Sequence, residues 1–151
     1  MVSHLKSRLT SKSGFRVLVI DENEQNRADT LRALARSWPF HRELQVIWAH
    51  DTKDALARLR EEPCTLVLLN RHTRDRDVAT ELRRLRDHGL RVPVVVVSDL
   101  ASAELIAELK LLAAVHLPRQ QMSKVTFHDA VGNSLRLLGR LPSDTQPIAV
   151  R

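Results

Sequence analysis

The sequence has little of what disulfide-bonded, membrane-spanning or phosphate-binding proteins depend on. A single cysteine, Cys64, cannot form an internal disulfide, so a reducing cytoplasm is the expected compartment. Only four glycines are present, and they form neither a phosphate-binding loop nor a nucleophile elbow. No apolar run approaches the roughly 20 residues of a membrane span. The basic start MVSHLKSRLTSKSG lacks a hydrophobic centre, so it is not expected to be a secretory signal.

Aromatic residues are scarce, and the positive charge is unevenly placed. Aromatics make up 3% of the chain and tyrosine is absent, which argues against a stacking surface for single-stranded nucleic acid. The seven histidines show no paired ligand spacing, which argues against a metal site. The net charge of +6 comes from residues 1–16, with four basic and no acidic residues, and residues 71–91, with seven arginines against four acids. A flexible tail and a solvated helix face are the usual explanation of such patches.

What the chain does contain is a fivefold alternation of apolar runs and amphipathic helical segments. The predicted strands are 15–20, 44–49, 65–69, 92–97 and 115–117. The predicted helices cover about 24–37, 52–62, 75–88, 102–114 and 123–138. This alternation predicts an α/β fold with a five-stranded parallel doubly wound sheet in one domain, residues 15–140. Residues 1–14 are expected to be a disordered basic tail, and residues 141–151 a C-terminal tail or linker.

Polar residues follow most of these predicted strands. Because the carboxyl ends of parallel strands gather at one edge, where ligand sites form, we expect these residues to lie together. They are Asp21, Glu22, Asn70, Ser98 and Arg119.

In this order and spacing, residues 15–138 resemble the receiver domain of bacterial response regulators. The resemblance implies a flavodoxin-like strand order. In the family, an acid pair after the first strand helps to hold Mg²⁺, and Asp21-Glu22 matches it. The family's phosphoaccepting Asp ends the third strand, whereas this chain has Asn70. A Ser or Thr that senses phosphate ends the fourth strand, and Ser98 fits.

Two further positions depart from the family pattern. Arg119-Gln120 stands where the family has Lys-Pro, and His116 stands where it has an aromatic switch residue. We expect the Arg119 guanidinium to pair with Asp21 or Glu22 and to hold the site in one state. Ser98 is expected to form a strand-end hydrogen bond, and His116 to serve as a packing group.

The replacement at position 70 decides the predicted function. An amide has neither the charge nor the nucleophilic oxygen needed to form an acyl phosphate. With one of three anionic ligands lost, Mg²⁺ binding is expected to be weak or absent, although the His72 carbonyl remains available. No other cofactor or metal is expected. The chain is therefore interpreted as a pseudo-receiver, which is not an enzyme.

Such a module would act through protein contacts. Residues 102–138 correspond to the usual output face of receivers and would bind a protein partner or a second copy in a homodimer, not nucleic acid or a membrane. An output domain, such as a transcriptional activator or a cyclic-di-GMP enzyme, would follow. Two alternatives stay open. One is a conventional phosphorylation switch that uses Asp75 or Asp77. The other is a nucleic-acid-binding regulator that uses the basic tail and the arginine-rich third helix.

Overall fold

The computed structural model describes residues 14–71 and 78–141, which alternate between strands and helices. The strands are β1 (Gly14–Ile20), β2 (Glu43–Ala49), β3 (Leu66–Asn70), β4 (Val94–Ser98) and β5 (Ala114–Pro118). The α-helices are α1 (Arg27–Arg36), α2 (Thr52–Glu61), α3 (Val78–Asp87), α4 (Ala103–Leu111) and α5 (Lys124–Leu138). Glu24–Asn26 and Arg119–Gln121 form short 3₁₀ turns.

The five strands form one parallel sheet in the order β2-β1-β3-β4-β5. This arrangement confirms the predicted doubly wound, flavodoxin-like fold. The strands β1, β3 and β4 lie inside the sheet and are covered on both faces, which matches their continuous apolar stretches, residues 17–20, 66–69 and 94–97.

Two hydrophobic cores flank the sheet, and the side-chain alternation along each strand feeds both of them. In β1, Leu18 and Ile20 pack beneath α2, α3 and α4, whereas Val17 and Val19 pack beneath α1 and α5. The second core carries an aromatic cluster at its edge, in which Phe15 contacts Trp38 at 4.9 Å between ring centroids.

The helix ends follow their local sequence. Asp51 caps α2 by accepting from the Asp54 backbone N–H, and Ser102 and Ser123 cap α4 and α5 in the same way. The predicted first helix differs at its start, because residues 24–26 form a 3₁₀ turn before α1 begins.

Some sequence predictions need correction, and others concern undescribed residues. Gly14 begins β1, although the sequence placed it in the tail, because it pairs in register with Glu43 of β2. The rest of the predicted tail, the positions of His72, Asp75 and Asp77, and residues 142–151 lie outside the described residues. No helix within the described ranges combines the length and apolar character needed to cross a bilayer.

The expectation that the arginines of residues 71–91 belong to a solvated helix face is wrong for Arg86. Its half-buried guanidinium donates to four carbonyls, two before β4 and two before β5. They belong to Leu90 (3.0 Å), Val92 (2.8 Å), Leu112 (2.8 Å) and Ala113 (3.2 Å). Burial lowers the pKa of Arg86 to about 10, so the group is still charged at neutral pH. Arg86 therefore joins the two loops at the amino edge of the sheet.

Candidate functional site at the carboxyl edge of the sheet

The site is built where β1 and β3 end side by side, and Asp21 is its centre. The Asp21 backbone N–H donates to Ala49 of β2 at 2.9 Å, which fixes the residue at the sheet edge. Its side chain is fully buried. Oδ1 accepts from the Asn23 backbone N–H at 3.0 Å, and Oδ2 accepts from Asn70 Nδ2 at 2.8 Å and from the Thr30 hydroxyl at 3.4 Å. Both carboxylate oxygens are thus engaged by protein donors.

Asn70 ends β3, and its carboxamide is held at both ends. The Nδ2 group donates to Asp21 and also to Thr30 Oγ1 at 2.9 Å, whereas Oδ1 accepts from Arg119 Nη1 at 2.6 Å. These partners fix the amide orientation, because nitrogen faces acceptors and oxygen faces a guanidinium. The side chain is about 1% exposed. Residue 70, which the resemblance matches to the phosphoacceptor of receiver domains, is therefore part of an internal hydrogen-bond network.

Arg119, in the turn after β5, spans the ends of β3 and β4. Beyond its bond to Asn70, Nη2 donates to the Arg71 carbonyl and Nε pairs with Asp99 Oδ1 at 3.0 Å. The prediction that Arg119 pairs with Asp21 or Glu22 is wrong. The Asp21 carboxylate already accepts from Asn70, and Glu22 has a different arginine partner.

That partner is Arg71, which sequence reasoning had counted among the solvated arginines. Its side chain is 7% exposed and pairs with Glu22 at 3.1 Å and with Glu81 of α3. A buried arginine held between two carboxylates fixes the end of β3 against α3 and the loop after β1. No sequence pattern distinguished Arg71 from the arginines that follow it, apart from its place directly after Asn70.

Thr30 is the second site residue that sequence reasoning missed. It lies in α1, one turn before Leu34, on the face of the helix that packs against the sheet. A hydroxyl in this apolar stripe requires a hydrogen-bond partner, and here it donates to Asp21 and accepts from Asn70. A polar residue at a buried helical position was the available signal.

Ser98 and His116 form a pair on the neighbouring strands β4 and β5. The Ser98 hydroxyl donates to the Leu100 carbonyl at 3.0 Å and lies 2.9 Å from His116 Nε2. Because a hydroxyl has one proton, Ser98 accepts from His116, and the network assigns the imidazole proton to Nε2. Asp99, the residue after Ser98, pairs with Arg119 and so connects this strand end to Asn70.

This donor set does not match a divalent cation. Mg²⁺ requires several oxygen ligands in an octahedral arrangement. Around Asp21 the structure instead presents the Asn70 amide, a threonine hydroxyl and a backbone N–H, with the guanidinium of Arg119 beyond. Within residues 14–71 and 78–141 there is no group of three or more His, Cys, Asp or Glu side chains suited to a metal.

Comparison with known proteins identifies the fold through solved structures. No family model and no curated protein matches the sequence. A two-component response regulator from Clostridium difficile is 16% identical with a TM-score of 0.60, covering 81% of this chain and 96% of that chain. A response regulator receiver domain protein from Methanospirillum hungatei is 16% identical with a TM-score of 0.61, covering 85% and 98%. A response regulator from Thermotoga maritima is 21% identical with a TM-score of 0.60, covering 82% and 98%. The chain has the fold of receiver domains.

Proposed function

We propose that this protein is a receiver-like signalling module that works without aspartyl phosphorylation, through contacts with other proteins. The observation that carries the proposal is the hydrogen bonding of Asn70. Its amide nitrogen donates to Asp21 at 2.8 Å and its oxygen accepts from Arg119 at 2.6 Å. Receiver-fold neighbours that are themselves response regulators support the signalling role.

The chemistry of phosphoryl transfer supports this proposal. A phosphoacceptor must present a charged oxygen to the phosphorus atom, in line with the leaving group. The Asn70 oxygen is uncharged, buried, and directed at a guanidinium. Mg²⁺, which would neutralise the developing charge, finds no matching set of oxygen ligands around Asp21 among the described residues. We therefore propose that the site is structural and independent of Mg²⁺.

Two candidate nucleophiles among the described residues, Ser98 and Cys64, give no support to a catalytic role. A serine beside a histidine is the arrangement from which nucleophilic catalysis is built. Here, however, Ser98 is about 2% exposed and its proton is directed to the Leu100 carbonyl, so His116 does not act as its base. Burial raises the pKa of Cys64 to about 11, which keeps the thiol protonated at neutral pH. We propose that the protein is not an enzyme.

The surface proposed for output consists of residues 102–138, which contain α4, β5 and α5. It exposes several large apolar side chains to solvent, namely Ile106, Leu111, Val125 and Leu135. Exposed apolar side chains on a small domain are the usual material of a protein contact. We propose that this surface binds a protein partner or a second copy, and that an output domain responds to the contact.

Incubation with acetyl phosphate tests the proposal directly. The full chain, with Mg²⁺ and with a phosphorylatable receiver in the same tube as a positive control, is read by intact mass. We expect the control protein to gain one phosphate and this chain to gain none. One phosphate on any residue of this chain, including Asp75 or Asp77, would contradict the proposal and favour the conventional switch.

A further inference from the structure

A groove lies between α4 and α5, with β5 as its floor. It encloses about 400 Å³ within the 102–138 surface and its immediate C-terminal continuation. Its apolar lining comes from Ile106 of α4, Ala114 and Val115 of β5, and Leu137 of α5. His116 and Asn133 complete the floor and one wall. Four of the nine residues that line the groove are thus apolar.

Positive charge surrounds this apolar lining. Lys110 of α4 and Arg136 and Arg140 at the end of α5 line the groove, and all three are exposed. None of them forms an ion pair within the described residues, and no acidic residue is part of the lining. We call this feature, defined by Ile106, Lys110, Ala114–His116, Asn133, Arg136, Leu137 and Arg140, the basic groove.

We propose that the basic groove binds a segment of a partner protein that carries both acidic and apolar side chains. The inference rests on the proposed function, because it names the kind of partner that the output surface receives. Apolar side chains of the segment would replace water along Ile106 and Leu137. Its carboxylates would pair with Lys110, Arg136 and Arg140 at the rim, which adds orientation and speeds association more than it adds affinity.

A second copy of the chain fits the groove poorly. Two copies that met through the same groove would place Lys110, Arg136 and Arg140 against the same three cations, and such juxtaposed like charges are unfavourable. Nucleic acid fits less well than an acidic protein segment, because the lining offers no Phe, Tyr or Trp for base stacking and its one ring, the imidazole of His116, is hydrogen-bonded to Ser98.

Selection from a displayed peptide library tests the inference while the partner is unidentified. Random peptides of about 12 residues, enough to span a groove between two helices, are selected on the immobilised full chain. We expect the enriched peptides to combine acidic residues with large apolar ones. Their affinity should fall at least tenfold for the double variant Lys110→Glu, Arg136→Glu, and the loss should shrink as salt screens the charges.

A matched double variant outside the basic groove is the control. Lys53→Glu, Arg84→Glu makes the same change of net charge at two exposed positions of α2 and α3, outside the groove. We expect it to bind the enriched peptides as the unchanged chain does. Circular dichroism melts of both variants establish that each is folded.

Three results would overturn the inference. They are enrichment of neutral or basic peptides, equal loss in the two double variants, and a dimer in solution that Lys110→Glu, Arg136→Glu abolishes or strengthens. None of these involves Asn70. If the chain takes no phosphate but fails the peptide test, the proposed role of the basic groove is refuted and the proposed function stands. If the chain takes phosphate, the proposed function is refuted, whichever peptides the chain selects.

Discussion

At the scale of single residues, the site at the carboxyl edge of the sheet (the strand-end site) depends on one atom, the amide nitrogen of Asn70. The Asn70 amide nitrogen lies 2.8 Å from Asp21 Oδ2 and donates to it. A carboxylate at the same place would bring two negatively charged oxygens to hydrogen-bond distance in a buried pocket. The amide of Asn70 therefore stabilises the closed arrangement of Asp21, and under the proposed function the same residue is what prevents phosphoryl acceptance.

The variant Asn70→Asp tests the importance of that atom. We expect it to lower the free energy of unfolding by about 3 kcal/mol at neutral pH, because the new oxygen would lie against Asp21 Oδ2 in a buried pocket, and Arg119, which contacts the other oxygen of residue 70, offsets only part of that repulsion. Repulsion from Asp21 would raise the pKa of the introduced carboxyl in the folded state. Its stability deficit should therefore be smallest below about pH 4, where a proton restores the donor, and grow as the pH rises through the raised pKa. Urea melts across this range measure it.

An exposed amide-to-acid exchange supplies the control for that series. Asn23 is exposed and accepts a hydrogen bond from the Gln25 backbone N–H, a bond that a carboxylate can also accept. Asn23→Asp should change stability by less than about 0.5 kcal/mol at any pH tested. If Asn70→Asp and Asn23→Asp behaved alike, the hydrogen bond between Asn70 and Asp21 would not be what stabilises the strand-end site.

Arg119 is the second residue whose removal has a definite expected result. Arg119→Ala removes the donors to Asn70, Asp99 and the Arg71 carbonyl. Because the side chain is 28% exposed and partly screened, we expect a loss of only about 1–2 kcal/mol in chemical denaturation. Arg119→Lys should recover part of this, since an ammonium group cannot span three acceptors at once.

The exposed pair of α1 provides the comparison for Arg119. Arg32 pairs with Asp29, and its side chain is 66% exposed, so Arg32→Ala should cost almost nothing. A neutral Arg119→Ala, or an Arg119→Lys variant as stable as the unchanged chain, would mean that the bridging geometry contributes nothing to stability.

At the scale of elements, two glycines have equally open surroundings but different backbone conformations. Gly89 follows α3 with φ of +99°, and the Leu90 N–H closes the helix end on the Leu85 carbonyl at 3.1 Å. Gly132 lies inside α5 with ordinary helical φ. A Cβ at either position meets no atom within 4 Å, so side-chain space does not separate them.

Only backbone conformation should therefore distinguish Gly89→Ala from Gly132→Ala. We expect Gly89→Ala to lower the free energy of unfolding by about 1 kcal/mol, because an L side chain disfavours positive φ. Gly132→Ala should raise it by about 0.5–1 kcal/mol through better helix propensity. Thermal and urea melts of the two variants make the comparison. Changes of the same sign in both would contradict this explanation.

The elements themselves were predictable from the sequence because their signals are local. The apolar runs of β1, β3 and β4 and the capping residues Asp51 and Ser102 act within a few positions of each other. The error at Gly14 arose at an edge, where pairing with β2 extends a strand beyond its apolar run. Arg86 was misplaced for a different reason. Its four acceptors come from two loops that only the tertiary fold brings together.

The position of the site could be predicted from the sequence, but the pairing of its arginines with its carboxylates could not. Placement of Asp21 and Asn70 at neighbouring strand ends follows from strand order alone, once the sheet is known to be parallel. Which arginine reaches which carboxylate depends on side-chain reach and on competition between donors. Glu22 pairs with Arg71, whereas Arg119 pairs with Asp99 and donates to Asn70. Sequence periodicity contains no information about such competition.

At the scale of the whole molecule, the structure changes how the net charge of +6 is understood. Two arginines of the basic segment 71–91 are used internally, Arg71 by carboxylates and Arg86 by backbone carbonyls. The segment therefore offers fewer free cations to a polyanion than its composition suggests, which weakens the nucleic-acid alternative. The basic groove, in contrast, has three exposed cations around an apolar lining and suits a protein ligand.

The last prediction concerns how the whole fold responds to Mg²⁺. A ligand that binds only the folded state stabilises it by RT ln(1 + [L]/Kd), about 1.4 kcal/mol at ten times Kd. Asp21 is already engaged by Asn70, Asn23 and Thr30. We therefore expect the unchanged chain to have the same melting temperature in millimolar Mg²⁺ as in NaCl of equal ionic strength.

Asn70→Asp should behave differently, because a divalent cation can relieve the repulsion between the carboxylates of residues 21 and 70. Calorimetric melts of both chains, with Mg²⁺ and with matched NaCl, separate specific binding from screening. A shift of several degrees in the unchanged chain with Mg²⁺ but not with NaCl would mean that the hydrogen-bond network of Asp21 opens to admit a metal. That result would refute the proposal that the site is independent of Mg²⁺. A shift confined to Asn70→Asp would mean that the amide nitrogen of residue 70 is what keeps the metal out.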